Sequence, residues 1–465
     1  MAKYRGASDA VHLYLNEIQC SLVAKTGIPS DRYHLGKLTL EAFRDTPETV
    51  LQIDGGTGES ETFGSALERT VKCANAFRKL GLQPNDVIIL MAPHHIHLSI
   101  PMASEFDPEK TPSMLIATSG TTGLPKLAEI THRNLIQGFT YLWSFFDNFP
   151  NPTRLPLIMS PVQWFSAIFV MTSSPLFRQT RLQTSLTFTQ EHAYELINKY
   201  KPTFATSSSS MWVTLFKPEQ HQKCNFSSLE VILIGGSAMH PTLLQYMKNI
   251  IPNTTIVNMY GMSECSGPGF LPDPYVPESI GRPIPYLKHR LVNPETLAEI
   301  TEPNKPGELW IKGPSIFKCY RNNPKVTKDA LTDDGWLRSG DIMYRDEKWY
   351  FYFVERLKLL LKYRNHQISP TEIEAVIKKH PGVFEVAVTG IPHEEHGDLP
   401  IACVVLHDGG NVDEQEIKDL VKNSLTDTKQ LRGGVLFLKQ LPMTPSMKVN
   451  RTKLAKLARE MVQVE

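Results

Sequence analysis

The sequence predicts an α/β protein in two parts. A large N-terminal domain carries layered, largely parallel sheets, and a small α+β domain closes the chain. Three observations lead there. The chain has 465 residues, about three times a typical ~150-residue domain. Short β-branched runs alternate with amphipathic stretches through most of it, the pattern of strands joined by crossover helices. Beyond residue 355 the last ~110 residues hold one compact set of strands and helices, a usual size for a single domain.

In chain order, 87–90 (Val-Ile-Ile-Leu) reads as a buried strand, as do 114–117 and 231–234. Residues 191–200 and 243–250 have helical spacing of apolar positions. Residues 308–312, before Gly313 and Pro314, read as a shorter strand with a turn, and 349–354 as an aromatic strand. A boundary is expected at Glu355-Arg356, dividing the chain into 1–354 and 355–465. In the second part, Ser369-Pro-Thr-Glu372 reads as a capping box with Pro at the first helical position. Ile373, Val376 and Ile377 give that helix its apolar face. Strands are expected over 383–389, 401–406 and 434–439, and helices over 414–425 and 451–462.

Composition narrows the function classes. Hydrophobic residues are 41% and charged residues 21%, which excludes a disordered or fibrous chain. Lys plus Arg is 49 and Asp plus Glu 48, a net charge of +1, so a nucleic-acid partner held by bulk charge is not expected. Proline, at 34, outnumbers glycine, at 28, favouring loops and strand junctions over long helices. Cys20, Cys73, Cys224, Cys265, Cys319 and Cys403 show no C-x-x-C spacing, as in a reduced intracellular protein. The start lacks the apolar core of a secretory signal, and no apolar run approaches ~18 residues, so no transmembrane helix is expected. The end, Met461-Val-Gln-Val-Glu465, is not a Ser-Lys-Leu peroxisomal address, and a cytoplasmic location is expected. His94, His95 and His97 have no neighbouring carboxylate in sequence and read as structural rather than as metal ligands.

The segment with the strongest chemistry is Thr118-Ser-Gly-Thr-Thr-Gly-Leu-Pro-Lys126. Gly120 and Gly123 permit tight turns and close backbone approach. The hydroxyls of Thr118, Ser119, Thr121 and Thr122 and the backbone amides can line an anion, and Lys126 adds a point charge. The pattern is not the Gly-x4-Gly-Lys-Ser/Thr loop of another phosphate-binding class. A polar surface linker has the same composition, but placement directly after a buried strand favours a phosphate-binding loop.

This loop closely resembles the signature of the adenylate-forming enzymes: acyl-CoA synthetases, 4-coumarate–CoA ligases and firefly luciferases. The resemblance continues in order. Asn258-Met-Tyr-Gly-Met-Ser-Glu264 is similar to the family's Tyr-Gly-x-Thr-Glu motif. Gly307-Glu-Leu309, with Gly313 and Tyr320, is similar to its Gly-Glu-Leu strand region. Gly335-Trp-Leu-Arg-Ser-Gly-Asp341 is similar to the segment with the ribose-binding aspartate, and Glu355-Arg-Leu-Lys358 to the inter-domain hinge. Lys448 falls at the C-terminal catalytic lysine.

The resemblance implies an adenylation domain of α/β-layered sheets with a β-barrel-like subdomain, and a small mobile C-terminal domain. It implies a two-step reaction, in which a carboxylate and ATP form an acyl-adenylate and coenzyme A then displaces AMP to give a thioester. The implied cofactors are ATP, Mg²⁺ and coenzyme A, and the partner is a small-molecule carboxylate. By motif match, the 118–126 loop holds the β- and γ-phosphates and Glu264 holds Mg²⁺. Ser263 stands for the usual threonine near the α-phosphate. Tyr260 and Gly261 belong to the adenine pocket, which Gly235, Gly236 and Ser237 also line. Asp341 accepts from the ribose hydroxyls, and Arg356 reaches the ribose or phosphates. Lys448 bridges carboxylate and α-phosphate during adenylation, and Lys362 acts in the thioester step from the opposite face of the small domain.

Departures from the pattern are Leu127 and Met447 where glycine is usual, Glu355 for Asp, Asn365 for glycine, and Trp164 at the acyl pocket. Residues 203–212 read either as acyl-pocket lining or as a buried helix start. Two other function classes share these motifs: a luciferase-like monooxygenase and a shortened, non-catalytic nucleotide-binding remnant. The last arises from length. Only residues 99–106 separate the 87–98 stretch from the lead-in to the loop, and eight residues span at most ~28 Å, too little for a βα crossover. β/α elements are therefore expected to be missing near 101–103.

Overall fold

The computed structural model describes residues 2–83, 86–89, 94–95, 106–118, 126–139, 155–236, 241–276, 278–364, 366–393, 395–407, 409–443 and 449–462, the side chains of 2–10, 210, 241, 242, 367 and 462 excepted. The chain divides into two compact units: residues 1–119, 125–289 and 311–337, and residues 120–124, 290–310 and 338–465.

The first unit opens with α1 (Ala2–Thr26) and α2 (Leu35–Asp45). β1 (Val50–Asp54) and β2 (Ser60–Thr62) form an antiparallel ribbon, and α3 (Phe63–Lys79) begins where Thr62 and Ser65 cap each other's backbone. β3 (Pro112–Thr118) and β4 (Lys126–Thr131) pair antiparallel, leading into α4 (His132–Phe139). Strand and helix then alternate through β5 (Pro156–Ile158), α5 (Phe165–Ser173), β6 (Arg181–Gln183), α6 (Gln190–Tyr200), β7 (Phe204–Ser208), α7 (Ser209–Leu215), β8 (Val231–Gly235), α8 (Pro241–Ile250) and β9 (Thr255–Met259).

The main sheet runs β2-β1-β6-β5-β7-β8-β9. Every neighbouring pair is parallel except the β1–β2 edge, the arrangement expected from strand–helix alternation. Its core includes Leu157, Leu182, Ile197, Trp212, Ile232 and Ile256, each such side chain worth about 1.5–3 kcal/mol when fully buried. Trp212 is completely enclosed, so the end of the 203–212 stretch is core.

Beyond β9 come two antiparallel ribbons, β10 (Gly261–Met262) with β11 (Gly267–Pro268) and β12 (Phe270–Leu271) with β13 (Arg282–Pro283). After β14 (Lys288–Val292), β15 (Glu299–Ile300) and β16 (Gly307–Lys312), the first unit is completed by β17 (Cys319–Tyr320) and α9 (Pro324–Ala330). β17 joins β4, giving the three-stranded sheet β17-β4-β3.

One expected strand is corrected. Val87, Ile88 and Ile89 pair with no strand, and Val87 and Ile89 are 53% and 75% exposed. A strand needs a neighbour for its backbone groups, and no described sheet edge takes this segment up. Leu90 and the expected deletion point at 101–103 lie outside the described residues.

In the second unit, β18 (Leu337–Arg345) and β19 (Phe351–Arg356) pair antiparallel and end the sheet β15-β14-β16-β18-β19. There follow β20 (Leu361–Tyr363), β21 (His366–Ile368), α10 (Pro370–Ile377), β22 (Val383–His393), β23 (Gly397–Leu406), α11 (Glu414–Ser424), β24 (Val435–Phe437) and α12 (Arg451–Val462). Their sheet runs β21-β20-β23-β22, with β24 parallel to β23. Strand side chains alternate between faces. Val388, Ala402 and Val404 meet Ile373, Ile377, Ile417 and Val421 from α10 and α11. Ala387, Ile401, Cys403 and Val405 meet Leu454 and Ala458 of α12.

The expected capping box at α10 is also corrected. Ser369 is the N-cap but makes no capping bond through its side chain. The Glu355 carboxylate accepts from Thr371 N (3.2 Å) and Ser369 Oγ (3.4 Å) instead, and Glu372 pairs with Lys429. A negative charge at a helix N-terminus is favourable, and the fold supplies it from outside the helix. Among the described residues no helix is long and apolar enough to cross a membrane.

Candidate active site

β3 ends at Thr118 and β4 begins at Lys126, and these two residues are register partners. The expected phosphate loop is therefore the connection of an antiparallel hairpin. Ser119, Gly120, Thr121, Thr122 and Gly123 lie outside the described residues. Leu127, where glycine is usual, is an ordinary strand residue whose carbonyl accepts from Arg321 N at 2.8 Å.

Glu264 sits in a one-turn 3₁₀ helix (Ser263–Cys265) between β10 and β11. The turn is closed by Ser266 in the left-handed region, φ 51°. Phe317 N donates to the Glu264 carbonyl at 2.8 Å. The Glu264 carboxylate is buried, and its Oε1 accepts from the Tyr320 hydroxyl at 2.6 Å. Tyr320 is held in turn by the ladder to β4, opposite Ala128. Lys126 Nζ lies 5.1 Å from the Tyr320 ring centroid, within cation–π range. The Thr118 side chain lies beside the Tyr320 hydroxyl. Burial first, and the Glu264 carboxylate second, raise the Tyr320 pKa well above the usual phenol value; the hydroxyl stays protonated and donates. Thr118 and Lys126, the two ends of one motif, and Glu264, from another, thus converge on one side chain.

The support behind Glu264 is tight. Gly138 of α4 lies against the turn: a Cβ there would meet the Ser266 carbonyl oxygen at 2.0 Å. Only glycine permits that approach. At its other end α4 is capped reciprocally by Thr131 and Asn134 (3.0 and 3.1 Å), and Asn134 Nδ2 donates to the carbonyls of Pro314 (2.8 Å) and Ile316 (2.9 Å).

Gly235 ends β8 and pairs in register with Ser208 of β7 and Met259 of β9. Gly235, Gly236 and Tyr260 therefore sit at the carboxyl end of neighbouring parallel strands, where open α/β sheets bind ligands. Gly236 has φ 85°. Tyr260 packs edge-on against Phe270, and its carbonyl accepts from Gly269 N at 2.9 Å. Gly261 opens β10 and Ser263 opens the Glu264 turn. Ser237 is outside the described residues.

In the second unit, Asp341 of β18 and Arg356 of β19 are register partners. Arg356 Nε lies 3.2 Å from Asp341 Oδ1, the carboxylate buried and the guanidinium half exposed. The turn ahead of Asp341 is fixed by the Gly-Glu-Leu strand. Glu308 accepts from Gly340 N (3.0 Å) and Trp310 Nε1 (2.8 Å), and Ser339 Oγ donates to the Leu309 carbonyl at 2.7 Å. Glu355 accepts from Arg356 N at 2.8 Å as well as from Thr371; its longer side chain serves both sides of the expected hinge. Lys362 is exposed on β20, and its backbone N–H donates to Asp398 at 3.0 Å. Lys448, Met447 and Asn365 lie outside the described residues. The chain on either side of 444–448 is joined by a bridge between Met443 and Val449.

Sequence reading missed Tyr320 and Glu308 as site residues. Both lie in quoted motifs, yet nothing local reveals their contacts, 56 and 32 residues away. His94, read as structural, is buried with Nε2 2.6 Å from the Ser160 carbonyl oxygen. Trp164 caps the start of α5. Among the described residues no three His, Cys, Asp or Glu side chains gather into a metal cage. Mg²⁺ is usually held by one or two carboxylates together with substrate phosphates, and a single buried carboxylate beside the ends of the expected phosphate loop fits that mode.

The AMP-binding enzyme family matches residues 99–321, and the AMP-binding enzyme C-terminal domain matches residues 372–448. The chain is 33% identical over 359 residues to a luciferin 4-monooxygenase of Photuris pensylvanica, covering 76% of this chain and 65% of that protein. It is 33% identical over 355 residues to 4-coumarate–CoA ligase-like 9 of Arabidopsis thaliana, covering 75% and 63%. It thus spans just under two thirds of these relatives' length. The fold is similar to that of ATP-bound MatB from Rhodopseudomonas palustris, with TM-score 0.81, 20% identity, and 92% and 99% of the two chains covered. It is also similar to o-succinylbenzoate CoA synthetase from Bacillus subtilis, with TM-score 0.77, 21% identity, and 90% and 97% covered. By its two matched domains, its motifs in order and its fold, the chain belongs to the adenylate-forming superfamily of AMP-binding enzymes.

Proposed function

We propose that the protein is an AMP-forming acid–thiol ligase, an acyl-CoA synthetase that activates a fatty acid or an aryl-propenoate. The observation that carries this reading is the convergence of Thr118, Lys126 and Glu264 on Tyr320. It puts the ends of the phosphate loop and a buried carboxylate at one place. Attack of a carboxylate on the α-phosphate brings two anions together, and fixed positive charge and donors must offset their repulsion. Lys126 and the loop amides bind the β- and γ-phosphates, and Glu264 holds Mg²⁺. When bound, that ion supplies charge neutralisation at the phosphates. Gly235, Gly236, Ser237, Tyr260 and Gly261 frame the adenine, with Ser263 toward the α-phosphate, and Asp341 and Arg356 orient the ribose. Lys448 serves adenylation, and Lys362 serves thioester formation after the small domain, 355–465, turns against 1–354. β/α elements are missing near 101–103. The exposed side chains of Val87 and Ile89 support this, since an apolar run that no described sheet edge takes up is left in water.

The test is a panel of carboxylates incubated with the protein, ATP, Mg²⁺ and coenzyme A, following pyrophosphate and thioester separately. Both products from one acid class are expected. Pyrophosphate alone reduces the activity to adenylation, light with luciferin assigns an oxygenase, and neither product at any acid overturns the enzyme reading. The missing elements predict low solubility, and a soluble monomer unfolding in one cooperative step argues against them.

A further inference from the structure

We propose that Tyr320 is a positioning residue for adenylation, locking the metal-holding oxygen of Glu264 to the two strand ends that carry the phosphate loop. The proposal rests on the reading of Glu264 given above. A carboxylate on a flexible three-bond stem in a one-turn helix has no intrinsic reason to point one way. The Tyr320 hydroxyl fixes it by a 2.6 Å bond to Oε1, short as bonds to ionised acceptors are. With Oε1 held, the direction of Oε2 is fixed as well. Tyr320 is 7% exposed and Glu264 6%, so water does not compete for the bond.

The same ring carries the other half of the lock. Lys126 Nζ sits 5.1 Å from its centroid, and Thr118 lies beside its hydroxyl. Because Tyr320 is zipped to β4 opposite Ala128, ring, lysine and carboxylate keep one geometry. The hydroxyl therefore governs how the cation is held, and the ring governs how Lys126 meets phosphate.

The test is calorimetric ATP binding to the full chain, with and without Mg²⁺, for wild type, Tyr320→Phe, Tyr320→Leu and Glu264→Gln, each checked by thermal unfolding. Mg²⁺ is expected to tighten ATP binding to the wild type. Tyr320→Phe loses about tenfold of that tightening, the scale of one bond to a charged group, a larger loss than it shows in metal-free ATP binding. Tyr320→Leu loses the tightening and also weakens metal-free binding, because Lys126 loses its ring; it reads the same loss should Tyr320→Phe fail to fold. Wild-type Mg²⁺ dependence in Tyr320→Phe overturns the proposal. So does an equal loss with and without Mg²⁺, the mark of a merely structural role. If Glu264→Gln keeps the Mg²⁺ dependence, the reading of Glu264 falls and the proposal with it. If Glu264→Gln abolishes it and Tyr320→Phe does not change it, the proposal alone falls.

Discussion

Arg356 Nε lies 3.2 Å from Asp341 Oδ1, across adjacent strands and in register. The pair is asymmetric: the Asp341 side chain is 3% exposed and that of Arg356 45%. A buried carboxylate whose partner reaches from solvent can exchange that partner for another donor. Ribose hydroxyls are such donors. Asp341→Asn, of equal size, is expected to weaken nucleotide binding about tenfold or more, since its amide donors oppose the hydroxyls. Arg356→Gln is expected to change folding stability by no more than ~1 kcal/mol, because its end of the pair is screened by water. Calorimetry with AMP and denaturant unfolding read the two effects. Wild-type AMP affinity in Asp341→Asn removes Asp341 from the site.

Gly138 makes a second prediction. A methyl there would lie 2.0 Å from the Ser266 carbonyl oxygen, and the backbone of the Glu264 turn would have to yield. Gly138→Ala is expected to cost about 2–3 kcal/mol, the range for overpacking, and to lower Mg²⁺-dependent ATP binding together with stability. At Gly64 the nearest atom to an added Cβ is 3.2 Å away, so Gly64→Ala is the control, with a cost near ~1 kcal/mol or below. Equal midpoints for the two variants in urea would show that α4 does not brace the turn.

These contacts mark where sequence reading works and where it stops. The apolar strand 231–234 and the helix 451–462 are found where periodicity puts them, because each buries one continuous set of side chains. β6 (Arg-Leu-Gln) and most of β7 (Phe-Ala-Thr-Ser-Ser) are fully buried yet polar, so hydrophobic pattern is blind to them. Arg181 donates to the Met171 carbonyl and to Gln52, partners that only the fold brings near. Residues 87–89 fail the other way, since an apolar run promises a strand only if a sheet edge exists to receive it. Among site residues, motifs locate Glu264 and Asp341, but the groups that aim them, Tyr320 and Glu308, act through long-range contacts that no local spacing encodes.

Acid should weaken the fold through buried histidines. His132 packs at a tilt against the Phe106 ring, centroids 4.8 Å apart, and lies near His34. Burial, and then His34, push its pKa down to about 3. Burial pushes His289 down to about 4, against the opposing pull of hydrogen bonds to the backbone at Gly269 and Leu287. Both are depressed below the unfolded value near ~6.5. The unfolded chain therefore takes up protons first as pH falls. Stability is full above ~6.5 and drains as pH drops toward 3 to 4, by about 2–3 kcal/mol per histidine between pH 7 and 4.5. His132→Asn is expected to lose less stability over that interval than the wild type does, measured by urea unfolding at both pH values. A slope identical to wild type would mean that His132 is not neutral in the native fold.

In the second unit Arg451 heads α12 and meets Glu374 of α10 with both terminal nitrogens, at 2.6 and 3.1 Å. Its first nitrogen also donates to the Val388 carbonyl at 2.7 Å, and Glu374 Oε1 accepts from Val388 N at 2.6 Å. Burial lowers the Arg451 pKa, but the Glu374 carboxylate outweighs it and the net shift is upward, so the guanidinium stays charged. Its side chains are 24% and 15% exposed, so breaking it leaves a largely buried charge behind. Glu374→Gln or Arg451→Met alone is expected to cost about 3 kcal/mol, whereas Glu374→Leu with Arg451→Met costs less than the two single losses together, because neither charge is then stranded. Denaturant midpoints of the three variants decide it. Strict additivity would mean that the two side chains act on the fold separately. Arg451 also follows directly after Asn450, whose N–H donates to the Pro442 carbonyl at 2.7 Å. The pair thus anchors the downstream end of the segment that carries Lys448. Glu374→Gln should therefore slow pyrophosphate release more than consumption of added acyl-adenylate. Equal slowing of both would confine the pair to stability.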